Sequence, residues 1–538
     1  MKENYLDRKI LDFGYSLLIM ICSVFIGSAL FLFIDFGIGP WQFPVFSLIG
    51  IMIYSYLRSR ESEYMDYKRG LIYYIAFMVI VFILSMIVKN IWDPSVDGRW
   101  YHSEAIIRLM DGWNPVYSNK GNIGKWSYYY SKATWYLAAN TIEFLGDLEK
   151  GKLYNLFFEI NAFIISIPFF RKFFNTKNYT FPILGAILLF FNPVSWGQRF
   201  TFYQDSALGL FLIMIFMIAF FIWKDESGEY KKSNRMVLFC AAAFISNIKF
   251  TGLAYCSVFL FIFLILIFMT RNRTEFKSLF KFLLASFLII TIVLGYSPYV
   301  KNTIENGNPF YPLIGNGEDS EDIMTPNTPI SLRDINYVEK FVKSQYLSPG
   351  EYDLTEENIF QKGDLFQLRN KKAYAGPDQR IRGFGLFSFI IMPISILLAI
   401  AYCFLESENR KYFISMIIGI AIIGVLSKEI WWARYFSYFW IIPPMMTVGY
   451  LSRKDIIPKF FGALLGVTLI ANSLHLAANS IEYQIEYSKI AQRELEWLRY
   501  EVDKEYWERA INKEHYRQYI RYKTKLPLRG GLNFEDYR

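Results

Sequence analysis

Long apolar blocks dominate this sequence and restrict what it can fold into. About thirteen blocks are separated by polar loops, and most are roughly 14 to 22 residues long, near the length that an α-helix needs to cross a bilayer. We therefore predict an all-α, multi-spanning membrane protein. The predicted spans are 13–34, 43–56, 71–88, 153–170, 180–191, 207–223, 236–246, 252–269, 279–294, 386–404, 412–426, 435–450 and 460–475.

Composition agrees with a membrane protein. The chain is 54% hydrophobic and 19% aromatic, which is too apolar for an ordinary soluble protein. Its formal charge of +9 could suggest a nucleic-acid partner, but the cations lie largely in short loops, so we predict none. All four cysteines lie within apolar blocks, which indicates neither a disulfide framework nor a CxxC metal site. The basic N-terminus leads into a long apolar run without a clear cleavage site, as in a first spanning helix.

The loop charges predict an orientation. With the N-terminus in the cytoplasm, the inner loops hold most of the lysine and arginine. These inner cations are Arg58, Arg60, Lys68, Arg69, Arg171, Lys172, Lys177, Lys224, Lys231, Lys232, Arg235, Arg271, Arg273 and Lys277. The short outer loops hold only Arg199, Lys249, Lys428 and Arg434. Polar residues at membrane depth then converge on the outer face, which favours a functional site there.

The chain divides into five predicted segments. Spanning helices occupy 1–70, and a membrane core with its first outer loop at 89–152 occupies 71–296. A long outer loop (297–385), C-terminal spans (386–475) and a charged outer tail (476–538) follow. The tail shows helical spacing over 480–523. We predict a second interfacial helix at 128–144, because a span there would invert every later loop.

A polar island at 97–115 follows the third block. Glu104, Arg108 and Asp111 recur at helical spacing opposite an apolar face, which predicts an amphipathic helix lying on the membrane surface. Asp97 could accept a proton from a hydroxyl or hold a divalent cation; the alternatives are that it caps a helix or forms a loop salt bridge with Arg99. His102 could donate to a phosphate or sugar, or only be solvated.

Other outer-face residues add a second acid and several cations. Asp205 could share a metal with Asp97, or cap the helix that begins beside it. Lys249, Arg434, Lys428 and Arg199 could together bind a phosphate or diphosphate, while snorkelling to the interface is the alternative for each. We interpret Asp93 as a loop or wet-face charge. The sequence contains no P-loop, HExxH, GxSxG or Rossmann glycine pattern.

The order of these motifs resembles the GT-C superfamily of polytopic glycosyltransferases. The similarity covers roughly residues 71–450 and lies in the motifs VDGRWYHSEAIIRLMDGWNPVY, FNPVSWGQRFTFYQD, KFTGLAY, GYSPYVKNTIENGNPFYPL and WWARYF. The resemblance implies a GT-C-like helical bundle in the bacterial cytoplasmic membrane, with its active site outside. It also implies a polyprenyl-phosphate-type sugar donor, a glycan, lipid or protein acceptor, and membrane lipids as surroundings.

The resemblance assigns roles to residues. It makes Asp97 the catalytic or metal-contacting acid and Asp205 the second acidic position, with Mg or Mn as the possible cation. Many members carry a DE or DxD pair at the first acid, whereas Gly98 follows Asp97 here. The candidate catalytic residues are Asp97, Asp205 and His102. The candidate substrate-binding residues are Tyr101, Glu104, Tyr203, Gln204, Lys249, Tyr299, Asn302 and Arg434.

Two alternatives remain open at this stage. A polysaccharide polymerase or O-antigen-ligase-like enzyme would use arginines and a histidine in the long loop, and that loop has Arg333, Arg369, Arg380 and Arg382 but no histidine. A transporter of lipid-linked solutes would place polar groups at mid-span and show internal symmetry, which this sequence does not.

Overall fold

A computed structural model describes residues 5–61, 65–314, 324–347, 376–405 and 408–500, with the backbone alone at 325–326 and 494–500. These residues form helices and connecting turns without a β-strand, so the all-α prediction is confirmed for them. The α-helices are α1 (Tyr5–Phe33), α2 (Gln42–Ser59), α3 (Tyr67–Val88), α4 (Ser103–Met110), α5 (Lys125–Tyr129), α6 (Ala133–Leu145), α7 (Leu153–Phe173), α8 (Thr180–Phe190), α9 (Pro193–Gln198), α10 (Asp205–Lys224), α11 (Lys231–Ser246), α12 (Phe250–Thr270), α13 (Arg273–Leu288), α14 (Asn302–Asn306), α15 (Met324–Asn327), α16 (Ile330–Arg333), α17 (Tyr337–Tyr346), α18 (Ser388–Phe404), α19 (Arg410–Ser427), α20 (Ile442–Leu451) and α21 (Ile456–Tyr500).

Eight helices of the described residues are long and apolar enough to cross a membrane. They are α1, α3, α7, α10, α12, α13, α19 and α21, with α7 and α13 extended by adjoining helical turns. The remaining predicted spans are also helical, but they are shorter or less apolar. The structure therefore has the character of an integral membrane protein, while thirteen crossings remain a prediction.

Burial separates central from peripheral helices. In α10, 94% of an 18-residue apolar stretch is buried, and its side chains are hydrophobic on every side, as expected of a helix enclosed by others. In α3 and α13 only 22% is buried. Their exposed isoleucine, phenylalanine and leucine side chains form the kind of apolar surface that faces lipid.

The helix bundle has two chemically different ends. Helix α10 begins at Asp205 and α12 begins just after Lys249, at one end of the bundle, and both run to the opposite end. Loops at that opposite end are joined by ion pairs between Asp7 and Arg171, Arg8 and Glu229, Lys224 and Glu408, and Arg271 and Glu226. This separation agrees with the predicted grouping of inner and outer loops.

Two predicted interfacial helices are instead covered by protein. The amphipathic pattern of α4 is confirmed, since Ile106, Ile107 and Leu109 are buried while Asp111 is exposed. Its apolar face belongs to the main protein core, so the expectation that this face rests on lipid was wrong. In the 128–144 segment, α6 is buried along 133–142 and is an interior helix.

The C-terminal helix extends from the bundle to the Asp97 region. Helix α21 continues to Tyr500, which confirms the predicted helical tail up to that residue; 501–523 lies outside the described residues. The Trp92 backbone N–H donates to Ser488 Oγ at 2.9 Å, and Arg99 lies over the Tyr487 ring. The start of the tail therefore packs against the segment that carries Asp97.

Candidate functional site

The turn that carries Asp97 is held by a buried carboxylate, Asp93. Its Oδ1 accepts from the backbone N–H and hydroxyl of Ser95 at 2.7 and 2.6 Å, and its Oδ2 accepts from the Phe202 N–H at 2.8 Å. Asp93 is 0% exposed, so its interpretation as a wet-face or loop charge was wrong. A Cβ at Gly98 would lie 2.2 Å from Asp93 Oδ2, which explains why glycine follows Asp97 here.

Asp97 sits at the start of a π-helical turn, Gly98–His102. Its side chain makes no capping hydrogen bond there, so the helix-cap interpretation was wrong. The Asp97 side chain is 29% exposed and points an oxygen toward Arg434, at 4.0 Å from Nη1. The carboxylate therefore lies at the accessible edge of the group of charged side chains around Arg434.

Asp205 and Lys249 form a buried ion pair across two helix starts. Asp205 is the first residue of α10, and Lys249 precedes α12. Lys249 Nζ donates to Asp205 Oδ1, and the two side chains are 11% and 3% exposed. Asp205 does not cap its helix, because Gln204 holds the cap position without a side-chain bond. The capping alternative for Asp205 was therefore wrong.

Arg434 joins the acidic residues into one cluster. It lies in the 3-10 turn Ala433–Ile441 and its side chain is 9% exposed. Its guanidinium is 2.9 Å from Asp378 Oδ1, 3.9 Å from Asp205 Oδ2 and 4.0 Å from Asp97 Oδ2. Residues nearly 340 positions apart in sequence thus meet at one arginine.

Aromatic rings enclose the Arg434 guanidinium. It lies 4.2 Å from the centroid of the Trp432 ring and 5.2 Å from that of Tyr203, distances at which cations are attracted to ring faces. Arg434 Nη2 also donates to the Tyr435 hydroxyl at 2.9 Å. These contacts hold the charge in a low-dielectric setting, where its pull on an anion is strong.

Asp378 is the cluster residue that sequence reasoning missed. Its Oδ2 accepts from Arg380 Nε at 2.6 Å, and its backbone carbonyl accepts from Trp432 Nε1 at 2.7 Å. It lies in the polar 297–385 loop, where no periodicity distinguishes one acid from another. The tryptophan that precedes Arg434 in the WWARYF motif, Trp432, was the one available signal.

Burial and neighbouring charges shift the ionisation of the site residues. Burial raises the pKa of Asp97, Arg434 opposes this, and the carboxylates of Asp378 and Asp205 add to the rise. Burial works against the charge of Arg434, but Tyr435, Asp378 and Asp205 raise its pKa further above its ordinary value. The arginine therefore stays charged, and Asp97 is made a better proton acceptor than an ordinary aspartate.

His102 lies behind Asp97 in an aromatic setting. Burial, together with the charges of Lys249 and Arg434, holds the pKa of His102 well below its ordinary value, so the ring is neutral. Its Nδ1 accepts from Trp135 Nε1 at 2.8 Å, which places the ring proton on Nε2. The Tyr101 ring is 4.1 Å away between centroids. The neutral imidazole and the phenol ring therefore pack against each other behind Asp97.

Several predicted substrate-binding residues instead hold the site together. Glu104 accepts from Ser127 Oγ at 2.6 Å and so ties α4 to α5. Asn302 donates to the backbone carbonyls of residues 129 and 311, and the Tyr299 hydroxyl donates to the carbonyl of residue 246. Gln204 is 0% exposed and bonds to Thr134 Oγ1.

Two of the four predicted phosphate-binding cations lie elsewhere. Arg199 pairs with Glu159 on α7, with 2.7 Å between Nε and Oε2, and lies over the Trp196 ring. Lys428 is exposed at the end of α19. Of these four cations, only Lys249 and Arg434 belong to the cluster.

The predicted metal pair, Asp97 and Asp205, has cations for neighbours. Asp205 Oδ1 is bonded to Lys249, and Arg434 lies 3.9 to 4.0 Å from an oxygen of each carboxylate. The described residues contain no group of three or more histidine, cysteine or acidic side chains suited to a metal. A divalent cation would be repelled by this ammonium and guanidinium, so the residues do not fit the predicted Mg or Mn.

Comparisons of the chain with protein-family models, curated proteins and solved structures find no match.

Proposed function

We propose that the protein is a membrane glycosyltransferase of the GT-C type, which moves a sugar from a polyprenyl-phosphate-type donor to an acceptor. One observation carries this proposal: Asp97 lies 4.0 Å from the arginine of a buried cation pair, Arg434 and Lys249, at one end of an apolar helix bundle. A proton acceptor beside an anion-binding pair is what transfer from a lipid phosphate requires.

The cation pair would hold the phosphate of the donor. Arg434 presents a planar guanidinium that can bind two phosphate oxygens, and Lys249 adds a compact positive charge. Asp205 keeps Lys249 in place through their ion pair. The apolar surface of the surrounding bundle suits the polyprenyl chain.

Asp97 would act as the base on the acceptor. The acceptor hydroxyl oxygen forms a bond to the sugar's anomeric carbon, and its proton passes to the Asp97 carboxylate. The bond between that carbon and the phosphate oxygen breaks, and its electron pair leaves on the phosphate held by Arg434 and Lys249. Such a single displacement inverts the anomeric centre and needs no separate general acid.

The distribution of charge supports a site on the extracytoplasmic side. The loops at the opposite end of the bundle carry most of the short-loop lysine and arginine, which is the pattern of cytoplasmic loops. The site would then face the outside of a bacterial cytoplasmic membrane, where glycans, lipids and proteins are available as acceptors.

Transfer by the purified protein in lipid tests the proposal. Radiolabelled polyprenyl-phosphate sugars would be supplied to wild type, to Asp97→Asn and to Asp111→Asn, an exposed acid of the same segment. We expect transfer by wild type and Asp111→Asn, and its loss in a folded Asp97→Asn. A chelator should leave transfer intact. Full activity in Asp97→Asn would remove this carboxylate from the mechanism.

A further inference from the structure

Asp378 makes the closest carboxylate contact of Arg434. Of the three carboxylates around Arg434, Asp378 is the closest by about 1 Å, at 2.9 Å against 3.9 and 4.0 Å. A phosphate bound to the same guanidinium would meet this carboxylate directly. Two anions cannot share one Arg donor edge without strong repulsion.

Arg434 has donor capacity left unused. Its Nε is buried and has no hydrogen-bond partner among the described residues. The facing Oδ2 of Asp205 is likewise buried without one, 3.9 Å away. An unpaired buried guanidinium N–H is costly and would gain from an added acceptor. A phosphate that takes the place of Asp378 brings more acceptor oxygens and can satisfy this N–H as well.

The backbone of Asp378 is fixed, but its side chain has a second cation to turn to. Its carbonyl accepts from Trp432 Nε1, and the neighbouring Pro377 carbonyl accepts from Gln198 Nε2 at 3.1 Å. Its Oδ2 is already bonded to Arg380 Nε at 2.6 Å. Rotation of the side chain can therefore release Arg434 while the bond to Arg380 is kept.

We propose that Asp378 is an internal counter-anion that the donor phosphate displaces from Arg434, and that Arg380 holds the displaced carboxylate. This inference rests on the proposed role of Arg434 in phosphate binding. The charge of Asp378 then has to be outcompeted by the charge of the ligand, so an anionic phosphate lipid binds while a neutral sugar lipid does not. Asp378 is a specificity-determining residue in this scheme, and Asp97 remains the base.

Binding of farnesyl phosphate to the purified full-length protein in detergent tests the inference, with inorganic phosphate in a parallel arm. Asp378→Asn keeps the size of the side chain and removes its charge, so we expect roughly tenfold tighter binding of farnesyl phosphate. Glu429→Gln is the matched control, because Glu429 bonds to Trp431 on the same segment and not to Arg434. It should bind as wild type does.

A double-mutant cycle distinguishes two roles for Arg380, holding the displaced Asp378 carboxylate or only adding positive charge to the site. Arg380→Gln should weaken binding several-fold in the wild-type background, because Asp378 loses its second cation and stays on Arg434. In the Asp378→Asn background the same change should have little effect. An equal loss in both backgrounds would mean that Arg380 only adds positive charge, which contradicts the proposed holding role.

The other possible results also decide between the inference and the proposed function. Unchanged or weaker binding in Asp378→Asn overturns the inference while leaving the glycosyltransferase proposal standing if wild type binds farnesyl phosphate. If no variant binds farnesyl phosphate, both fail. Equal gains for inorganic phosphate identify the phosphate group alone as the competing ligand, and a gain for farnesyl phosphate only identifies the lipid phosphate. Should Asp378→Asn not fold, Asp378→Ser takes its place in the binding measurement and in the cycle, and the same outcomes apply.

Discussion

Replacing Arg434 by lysine should lower the affinity for the donor phosphate in a protein that still folds. Lysine keeps the positive charge but presents a point charge in place of a planar fork, so one of two phosphate contacts is lost. A hydrogen bond to a charged group contributes about 1.5–3 kcal/mol, which corresponds to roughly 10- to 100-fold in affinity. The contact with the Trp432 ring, at 4.2 Å, would also be altered.

Arg199→Lys provides the matched control for this prediction. Arg199 is comparably buried, lies 3.7 Å from the centroid of the Trp196 ring and pairs with Glu159, but it is outside the cluster. Both variants should lose thermal stability, and only Arg434→Lys should lose affinity for farnesyl phosphate. Equal affinity losses, or wild-type affinity in Arg434→Lys, would refute the assignment of Arg434 as the phosphate ligand.

Three further predictions concern the turn that carries Asp97. Burial raises the pKa of Asp93 to about 6, so the folded protein binds this proton more tightly than the unfolded chain does. As the pH rises from about 4 to about 6, ionisation of Asp93 should therefore lower the unfolding free energy of wild type by about 3 kcal/mol relative to that of Asp93→Asn. The same pH dependence of the unfolding free energy in both proteins would contradict this. Gly98→Ala should lower the unfolding free energy by about 1–3 kcal/mol, because the added Cβ would clash with Asp93. Gly37→Ala is the control and should lower it by less than about 1 kcal/mol, because Gly37 has open space around it. Similar losses in the two variants would disprove the close packing of Gly98 against Asp93. Because the pKa of Asp97 is raised, kcat/KM should fall on acidification at a pH above about 4, the ordinary range for aspartate; a profile that is flat down to that pH would exclude Asp97 as the base.

The sequence located most of the cluster because membrane placement is restrictive. Asp97, Asp205, Lys249 and Arg434 stand at the mouths of apolar blocks, where an ionisable residue is costly unless it is paired or used. Loop charge then assigned them to one face. The structure brings Asp97 and Asp205 to Arg434, and Lys249 joins them through Asp205, as that reasoning expects.

The errors arose where pairing in space decides the outcome. Arg199 shares its block-end position with Lys249, and only the neighbouring helix shows that Glu159 neutralises it. Asp93 looks like any loop acid, yet it accepts the backbone N–H of Phe202, 109 residues away in sequence. Asp378 lies in a loop without periodicity, so no local pattern could select it. Sequence spacing predicts which face a residue occupies and does not identify its partner.

The loss of transfer in Asp97→Asn tests the central claim most directly. Purified wild type and Asp97→Asn would be compared in proteoliposomes, with a polyprenyl-phosphate sugar labelled in the sugar and with binding of farnesyl phosphate measured on the same samples. We expect the variant to bind the phosphate at least as well as wild type but to transfer the sugar at a rate lower by a factor of about 100 or more. Wild-type transfer by a variant that binds normally would contradict it.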